Sequence, residues 1–276
     1  MDDQGQRERR VAEVFDAVAT DYDQSGVAFF APIAEGLVDA VAPTTGERVV
    51  DVGCGRGAAT FPAARAVGET GSVTALDLSA AMVELTRRGA EEQGLLQVHT
   101  RVVTSDDLGL PDAGADVLLA SLVLFFSADP TTTLRSWVRL LAPGGRLGLA
   151  TFGVPDPTWA RVDALFHPYL PPQMLDARTS GEAGPFESDQ GLEELCGSCG
   201  ARDPRSQHLA LAVRFRDAEQ WRAFSMGTGQ RMFWGLVPEE RRPSIFSEAA
   251  EILEGAREPG GDIVLTQDVR YTLATV

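Results

Sequence analysis

The sequence predicts an α/β fold: a mostly parallel seven-stranded sheet with helices on both faces, two helices ahead of the first strand and a proline- and aromatic-rich insert behind the fifth. Three observations carry this reading. Short apolar runs at 48–52, 72–77, 98–103 and 115–121 alternate with helical stretches, the pattern of right-handed strand–helix–strand units. The first run is β-branched and nearly unbroken, as a strand buried on both faces must be. Two late stretches, 206–215 and 263–275, alternate instead and suit an antiparallel hairpin closing the sheet.

The elements follow in order. Residues 7–20 have helical spacing with Val11, Val14, Phe15 and Val18 on one face, an apolar face that could support a homo-oligomer. A second amphipathic helix runs over 29–41. After the first strand a helix reaches about Gly68, and Ser79 is placed to cap the helix that follows the second strand. Asp129 before Pro130 starts the helix after the fourth strand, and 146–152 is the fifth. Between 155 and 191 the alternation disappears and prolines mix with Trp159, Phe166, His167, Tyr169 and Phe186. Helices are expected at 217–226 and 238–255, joined by a glycine- and aromatic-containing link. The organisation expected is 1–45 leading helices, 46–153 core, 154–204 insert, and 205–276 completing the core with a helical insert at 217–256.

The chemistry begins where the first strand runs into Gly53-Cys54-Gly55-Arg56-Gly57-Ala58. Glycines at alternate positions let the backbone turn sharply and approach a ligand, and the amides opening the next helix are expected to point at it. The same residues satisfy the dinucleotide pattern G-x-G-x-x-G/A, so the glycines alone leave an NAD-dependent oxidoreductase open. Asp51 shifts the balance. A pyrophosphate beside it meets like charge, whereas an ammonium or sulfonium is stabilised. Asp77 ends the second strand, where a carboxylate can accept both hydroxyls of a ribose; adenosine cofactors of either kind use this device.

The apolar run, Asp51 and G-x-G-x-G together resemble motif I of the class I S-adenosylmethionine (SAM) methyltransferases. Residues 15–23, Phe-Asp-Ala-Val-Ala-Thr-Asp-Tyr-Asp, resemble the F-D-x-x-A-x-x-Y-D entry of the ubiquinone/menaquinone-type and natural-product branch, and Leu141-Ala142-Pro143-Gly144-Gly145 resembles its L-x-P-G-G turn. The resemblance covers nearly the whole chain and is specific over 15–152. It implies a Rossmann-like class I methyltransferase fold with SAM as cofactor, in which the N-terminal helices of 1–45 cover the site and the insert at 154–204 is its cap. The site it implies takes Asp51, Gly53, Cys54 and Gly55 from the first strand and its loop. Asp77 and Leu78 come from the second strand, and Met82 faces the cofactor from the next helix. Ser121 and Leu122 come from the end of the fourth strand. Tyr22 inherits contact with the methionine part of SAM and a catalytic role. Thr104 stands where the family often carries an acid, which moves the adenine contact to Ser105 and Asp106. Phe125 and Phe126 stand where many relatives have an L-x-L-H-H exit. In the cap, His167 is the one histidine placed to act as a general base. The resemblance implies methyl transfer, at carbon or oxygen, to a small, largely apolar metabolite such as an aromatic, polyketide or terpenoid intermediate. A methyltransferase-like cyclase is the alternative within the fold; an NAD-dependent oxidoreductase and a silent cofactor-binding protein are the alternatives outside it.

Bulk properties exclude other classes. Forty acidic against 24 basic side chains give a formal net charge of −16, which disfavours nucleic acid as a partner. The longest apolar stretch, 115–126, is too short to span a bilayer, and the first residues lack the basic-then-apolar order of a signal peptide. Three cysteines imply no disulfide framework, and a cytoplasmic location is expected. Cys196-Gly197-Ser198-Cys199 supplies only two ligands and is expected to close a helix rather than bind metal. His99 and His208, both in strands, are expected to be structural.

Overall fold

The computed structural model describes residues 3–104, 108–171 and 181–276. Among these, ten α-helices and seven strands occur in the order α1 (Asp3–Val18), α2 (Phe30–Val41), β1 (Arg48–Val52), α3 (Thr60–Val67), β2 (Ser72–Asp77), α4 (Ala80–Glu92), β3 (Val98–Val102), β4 (Ala115–Ser121), α5 (Pro130–Val138), β5 (Leu141–Phe152), α6 (Pro157–Ala164), α7 (Asp189–Ser198), β6 (Arg202–Phe215), α8 (Ala218–Met226), α9 (Arg231–Leu236), α10 (Arg242–Glu254) and β7 (Ile263–Thr275). The strands form one sheet in the order β3-β2-β1-β4-β5-β7-β6. Strands β1 to β5 are parallel, and β7 runs antiparallel between β5 and β6. The order reverses between β1 and β4, so the crevice at their carboxyl ends is the topological switch point, where open α/β sheets bind ligands.

Helices α2, α3, α8 and α10 cover one face of the sheet over a core containing Ile33, Leu37, Val49, Val73 and Leu119. Helices α5 and α7 cover the other over Leu76, Leu118, Trp137, Leu149 and Leu192. Helix α2 lies close enough to the sheet for the Tyr271 hydroxyl on β7 to donate to the Ile33 carbonyl at 2.9 Å. Ser79 accepts from the Met82 amide at 3.1 Å, and Asp129 accepts from the amides of Thr131 and Thr132, so both expected caps form.

Several boundaries differ from the expectation. Strand β5 starts at Leu141 rather than Arg146, because Leu141 pairs with Ala115 before the register shifts. The Pro143-Gly144-Gly145 turn is therefore an irregularity inside the strand, held by bonds from Gly144 to Val276 and from Val276 to Gly145. Strand β6 reaches back to Arg202, ahead of the boundary at 205. The link 227–234 holds the start of α9. The end of the apolar face of α1 packs within the chain: Val18 and Ala19 bury Met82 of α4, with Phe15 and Tyr22 packed beside them, while Val11 and Val14 stay partly exposed. No helix of the described residues is long and apolar enough to cross a membrane.

Candidate active site

The loop after β1 is tied to β2. The Gly53 and Cys54 amides both donate to the Leu76 carbonyl, at 2.8 and 2.9 Å, and the Gly55 amide donates to Asp77 Oδ2 at 2.9 Å. These three amides fasten the loop to the neighbouring strand, and α3 begins at Thr60. Gly53, at φ +70°, has no space for a side chain, since a Cβ would meet Val123 at 2.5 Å; at Gly55, φ +53°, a Cβ would meet nothing within 4 Å. The loop is closed on the β4 side and open at Gly55. Cys54 is buried, and burial first, then the charges of Asp77 and Asp51, pushes its thiol well above the ordinary range.

Two carboxylates lie at this turn. Asp51 is buried beneath it; Oδ2 accepts from the Thr60 hydroxyl at 2.5 Å, while Oδ1 is buried without a hydrogen bond. Burial pushes this carboxyl up to about 7; the Thr60 hydroxyl opposes the shift and the Asp77 charge adds to it. Asp77 sits at the end of β2, with Oδ1 taking the Ser79 amide at 2.9 Å opposite the Gly55 bond. Burial raises its pKa as well, against the pull of the Ser79, Gly55 and Leu78 amides. Leu78 is partly buried beside it.

Helix α1 roofs the turn. Asp16 Oδ1 accepts from Ser79 Oγ at 2.5 Å and from the Ala81 amide at 3.1 Å. Arg56 Nη1 donates to the carbonyls of Ala19 and Thr20 at 2.7 and 3.2 Å. Beyond the helix, Tyr22 stacks on Phe30 at 4.6 Å and meets Phe15 edge-on at 6.0 Å. Burial raises its phenol well above the ordinary range, with the charges of Asp23 and Asp77 adding to the effect. Met82 is buried beneath Val18 and Ala19. Asp16, Arg56 and Thr60 were not among the residues read as functional. Asp16 lies inside the motif that pointed to Tyr22, but no pattern in the chain foretells its partner 63 positions away.

Ser121 and Leu122 lie partly buried at the exit of β4, where Leu122 has φ +57° and donates to the Ala150 carbonyl at 2.9 Å. Past them a continuous network of mostly buried rings forms: Phe126 contacts Phe15 at 5.6 Å, Phe125 stacks on Phe152 at 5.7 Å, and Phe29 links Phe152 to Trp159 of α6. Thr104 is exposed after β3. Ser105 and Asp106, given the adenine contact, lie outside the described residues. His167 opens a short 3₁₀ turn and is exposed, whereas its neighbour Phe166 is the residue turned into the core. The structure therefore does not join His167 to the glycine loop and Tyr22. His208 bridges Asp189 and Asp268, each at 2.9 Å, in a cluster with Arg270 that ties α7 to β6 and β7. Cys196 is buried near the end of α7, and Cys199 Sγ donates to the Thr131 carbonyl at 3.4 Å, a packing role.

Comparison with known proteins places this arrangement. A protein-family profile described as the ubiE/COQ5 methyltransferase family matches residues 3–172. Nocamycin O-methyltransferase of Saccharothrix syringae is 35% identical over 94% of this chain and 95% of its own. Aklanonic acid methyltransferase DauC of a Streptomyces species is 35% identical over 61% of this chain and 76% of its own. The YcgJ protein of Bacillus subtilis superposes with a TM-score of 0.59 at 17% identity, covering 88% of this chain and 97% of that one, a likeness of fold. The shared family decides between the two cofactors that the glycine pattern left open, and against an oxidoreductase. The chain belongs to the ubiE/COQ5 methyltransferase family and is a SAM-dependent methyltransferase.

Proposed function

We propose that the chain methylates an oxygen of a small, largely apolar natural-product intermediate of the aromatic, polyketide or terpenoid kind. The carrying observation is the unbroken aromatic network from Phe15 through Phe126, Phe125 and Phe152 to Phe29 and Trp159, whose partly exposed members Phe15, Phe126 and Phe152 suit an apolar guest. Oxygen is preferred because the relative aligned along 94% of the chain, cap included, is an O-methyltransferase. The ubiquinone/menaquinone C-methyltransferase of Vibrio campbellii aligns over 59% of the chain, which supports methylation at carbon as the second reading. Likeness to the [4+2]-cyclase SpnF, TM-score 0.53 at 18% identity, is one of fold and adds no support for ring closure.

The residues at the turn fit the cofactor. Asp51 Oδ1, buried and unpartnered, suits an ammonium group, and the open side of Gly55 leaves room for close approach. Asp77 would take the ribose hydroxyls, and Tyr22 would face the methionine part. Gly53 and Cys54 would shape the turn, Leu78 and Met82 its β2 side, and Ser121 and Leu122 the exit. Thr104, exposed beyond β3, is left with no role at the turn.

SAM supplies an electrophilic methyl group when bound. The protein's own contribution is to hold the acceptor in line, exclude water and steady positive charge with aromatic faces. Helix α1 seals the turn through Asp16 and Arg56. His167 lies outside this arrangement, so the reading assigns it no proton transfer.

Incubating the protein with methyl-labelled SAM and a panel of phenolic and enolic polyketide-type aromatics tests the proposal. Labelled methyl ethers support it, ring-methylated products support the second reading, and unlabelled panels contradict both.

A further inference from the structure

A half-buried polar pair joins the cap to the helical insert, away from the glycine loop. Asp163, on the last turn of α6, accepts from Gln230 Nε2 at 2.9 Å, joining α6 to the start of α9. Gln230 Oε1 is buried and has no hydrogen-bond partner. Among the described residues no hydrogen bond reaches Asp163 Oδ2, an oxygen that, unlike Gln230 Oε1, is not sealed from solvent. Rotating the Gln230 amide does not cure the deficit. An ionised Asp163 needs the NH₂ group, and a protonated one facing the amide oxygen strands the NH₂ instead. An unfilled acceptor of this kind costs about 1–3 kcal/mol, so its retention needs a reason.

The pair is joined to the acceptor side of the molecule. Asp163 shares one face of α6 with Trp159, one helical turn earlier, and Trp159 contacts Phe29 at 6.2 Å within the aromatic network. On the other side, Arg231, next to Gln230, reaches Asp21 at 3.7 Å, and Asp21 precedes Tyr22. Three cover segments therefore converge here: the end of α1, α6 and α9. Burial pushes the Asp163 carboxyl up to about 7, against the Gln230 bond, and the Glu182 charge adds to the rise.

We propose that Asp163 Oδ2 and Gln230 Oε1 form the polar end of the acceptor pocket and receive a hydrogen-bond donor, a hydroxyl or enol, of the molecule that is methylated. The inference rests on the proposed function. An aromatic wall binds any apolar ring, and two acceptors at its end select rings that carry a donor. Sites built to pair a hydroxyl reject the analogue lacking it, because their own buried groups are then left unpaired.

Calorimetric titration of 2-naphthol and 2-methoxynaphthalene, in saturating S-adenosylhomocysteine, tests this on a matched pair of rings with and without a donor. Wild-type protein is expected to prefer the naphthol by about tenfold or more. Asp163→Leu and Gln230→Met should each bring that preference to within about twofold while leaving S-adenosylhomocysteine affinity unchanged. Asp163→Asn, which keeps shape and one acceptor, should retain part of it and controls for misfolding. Equal binding of the two rings by the wild type, or an undiminished preference in all three variants, overturns the inference. If the cofactor product binds normally in that case, only the acceptor end fails. If it does not bind to the wild type, the reading beneath it fails too.

Discussion

The Gly55 amide donates to Asp77 Oδ2 at 2.9 Å, so the carboxylate proposed to meet a ribose also holds the glycine loop against β2. With the Ser79 amide on Oδ1 and the Leu78 amide also drawing on it, the Asp77 carboxylate keeps acceptor capacity for an incoming hydroxyl. Binding and loop shape are thereby coupled through one side chain.

Asp77→Ala removes both roles. S-adenosylhomocysteine affinity should fall by about 100-fold, roughly 2.8 kcal/mol, as read by calorimetry. Unchanged affinity removes Asp77 from the site.

Asp51 makes cofactor binding depend on pH. Its carboxyl, raised to about 7, is partly protonated at neutral pH, and an ammonium beside Oδ1 favours the ionised form. The complex then holds fewer protons than the free protein, so affinity should rise between about pH 6 and 8 with proton release. Without cofactor the sign for stability is opposite. The folded pKa lies above the unfolded value of about 3.9, so stability falls as pH rises from about 4 to 7. Asp51→Asn should flatten both dependences; titrations in buffers of different ionisation enthalpy read the protons directly.

The Asp16–Ser79 bond couples the roof to the cofactor loop. Ser79→Ala should cost about 1 kcal/mol through the lost cap of α4. Asp16→Ala should loosen α1, seen as faster amide exchange in residues 9–18. A double-mutant cycle should give a coupling of about 0.5–1 kcal/mol, and strictly additive melting shifts contradict the contact.

Tyr22→Phe keeps the ring stacked on Phe30 and removes only the hydroxyl. Turnover should drop by about tenfold with the melting temperature unchanged. Wild-type rates end the assignment.

The parallel half of the fold was legible because β1, β2 and β4 carry largely buried apolar runs that lead into turns, although the edge strand β3 is mostly exposed. Ser72 and Asp77 bound β2 in the sequence as they do in the structure. The start of β5 was not legible, because a Pro-Gly-Gly turn reads as a terminator unless the Ala115–Leu141 pairing across the sheet is known. Asp51 and Asp77 were readable from spacing to the glycines. Asp16, Arg56 and the Asp163–Gln230 pair were not, since each acts through a partner at least 36 positions away, a distance no local period encodes. Which of two neighbours turns inward was not legible at Phe166-His167 either: Phe166 takes the core position and the imidazole beside it is exposed.

The account turns on a cofactor site at the β1–β4 switch point in which Asp51 and Asp77 are the polar anchors. Competitive calorimetry of the purified protein with S-adenosylhomocysteine and NAD measures this most directly. The prediction is saturable, one-to-one binding of S-adenosylhomocysteine with proton release near neutral pH, weakened about 100-fold in Asp77→Ala and undisturbed by NAD. Tight NAD binding that displaces the sulfur compound, or nucleoside affinity indifferent to both carboxylates, would contradict it.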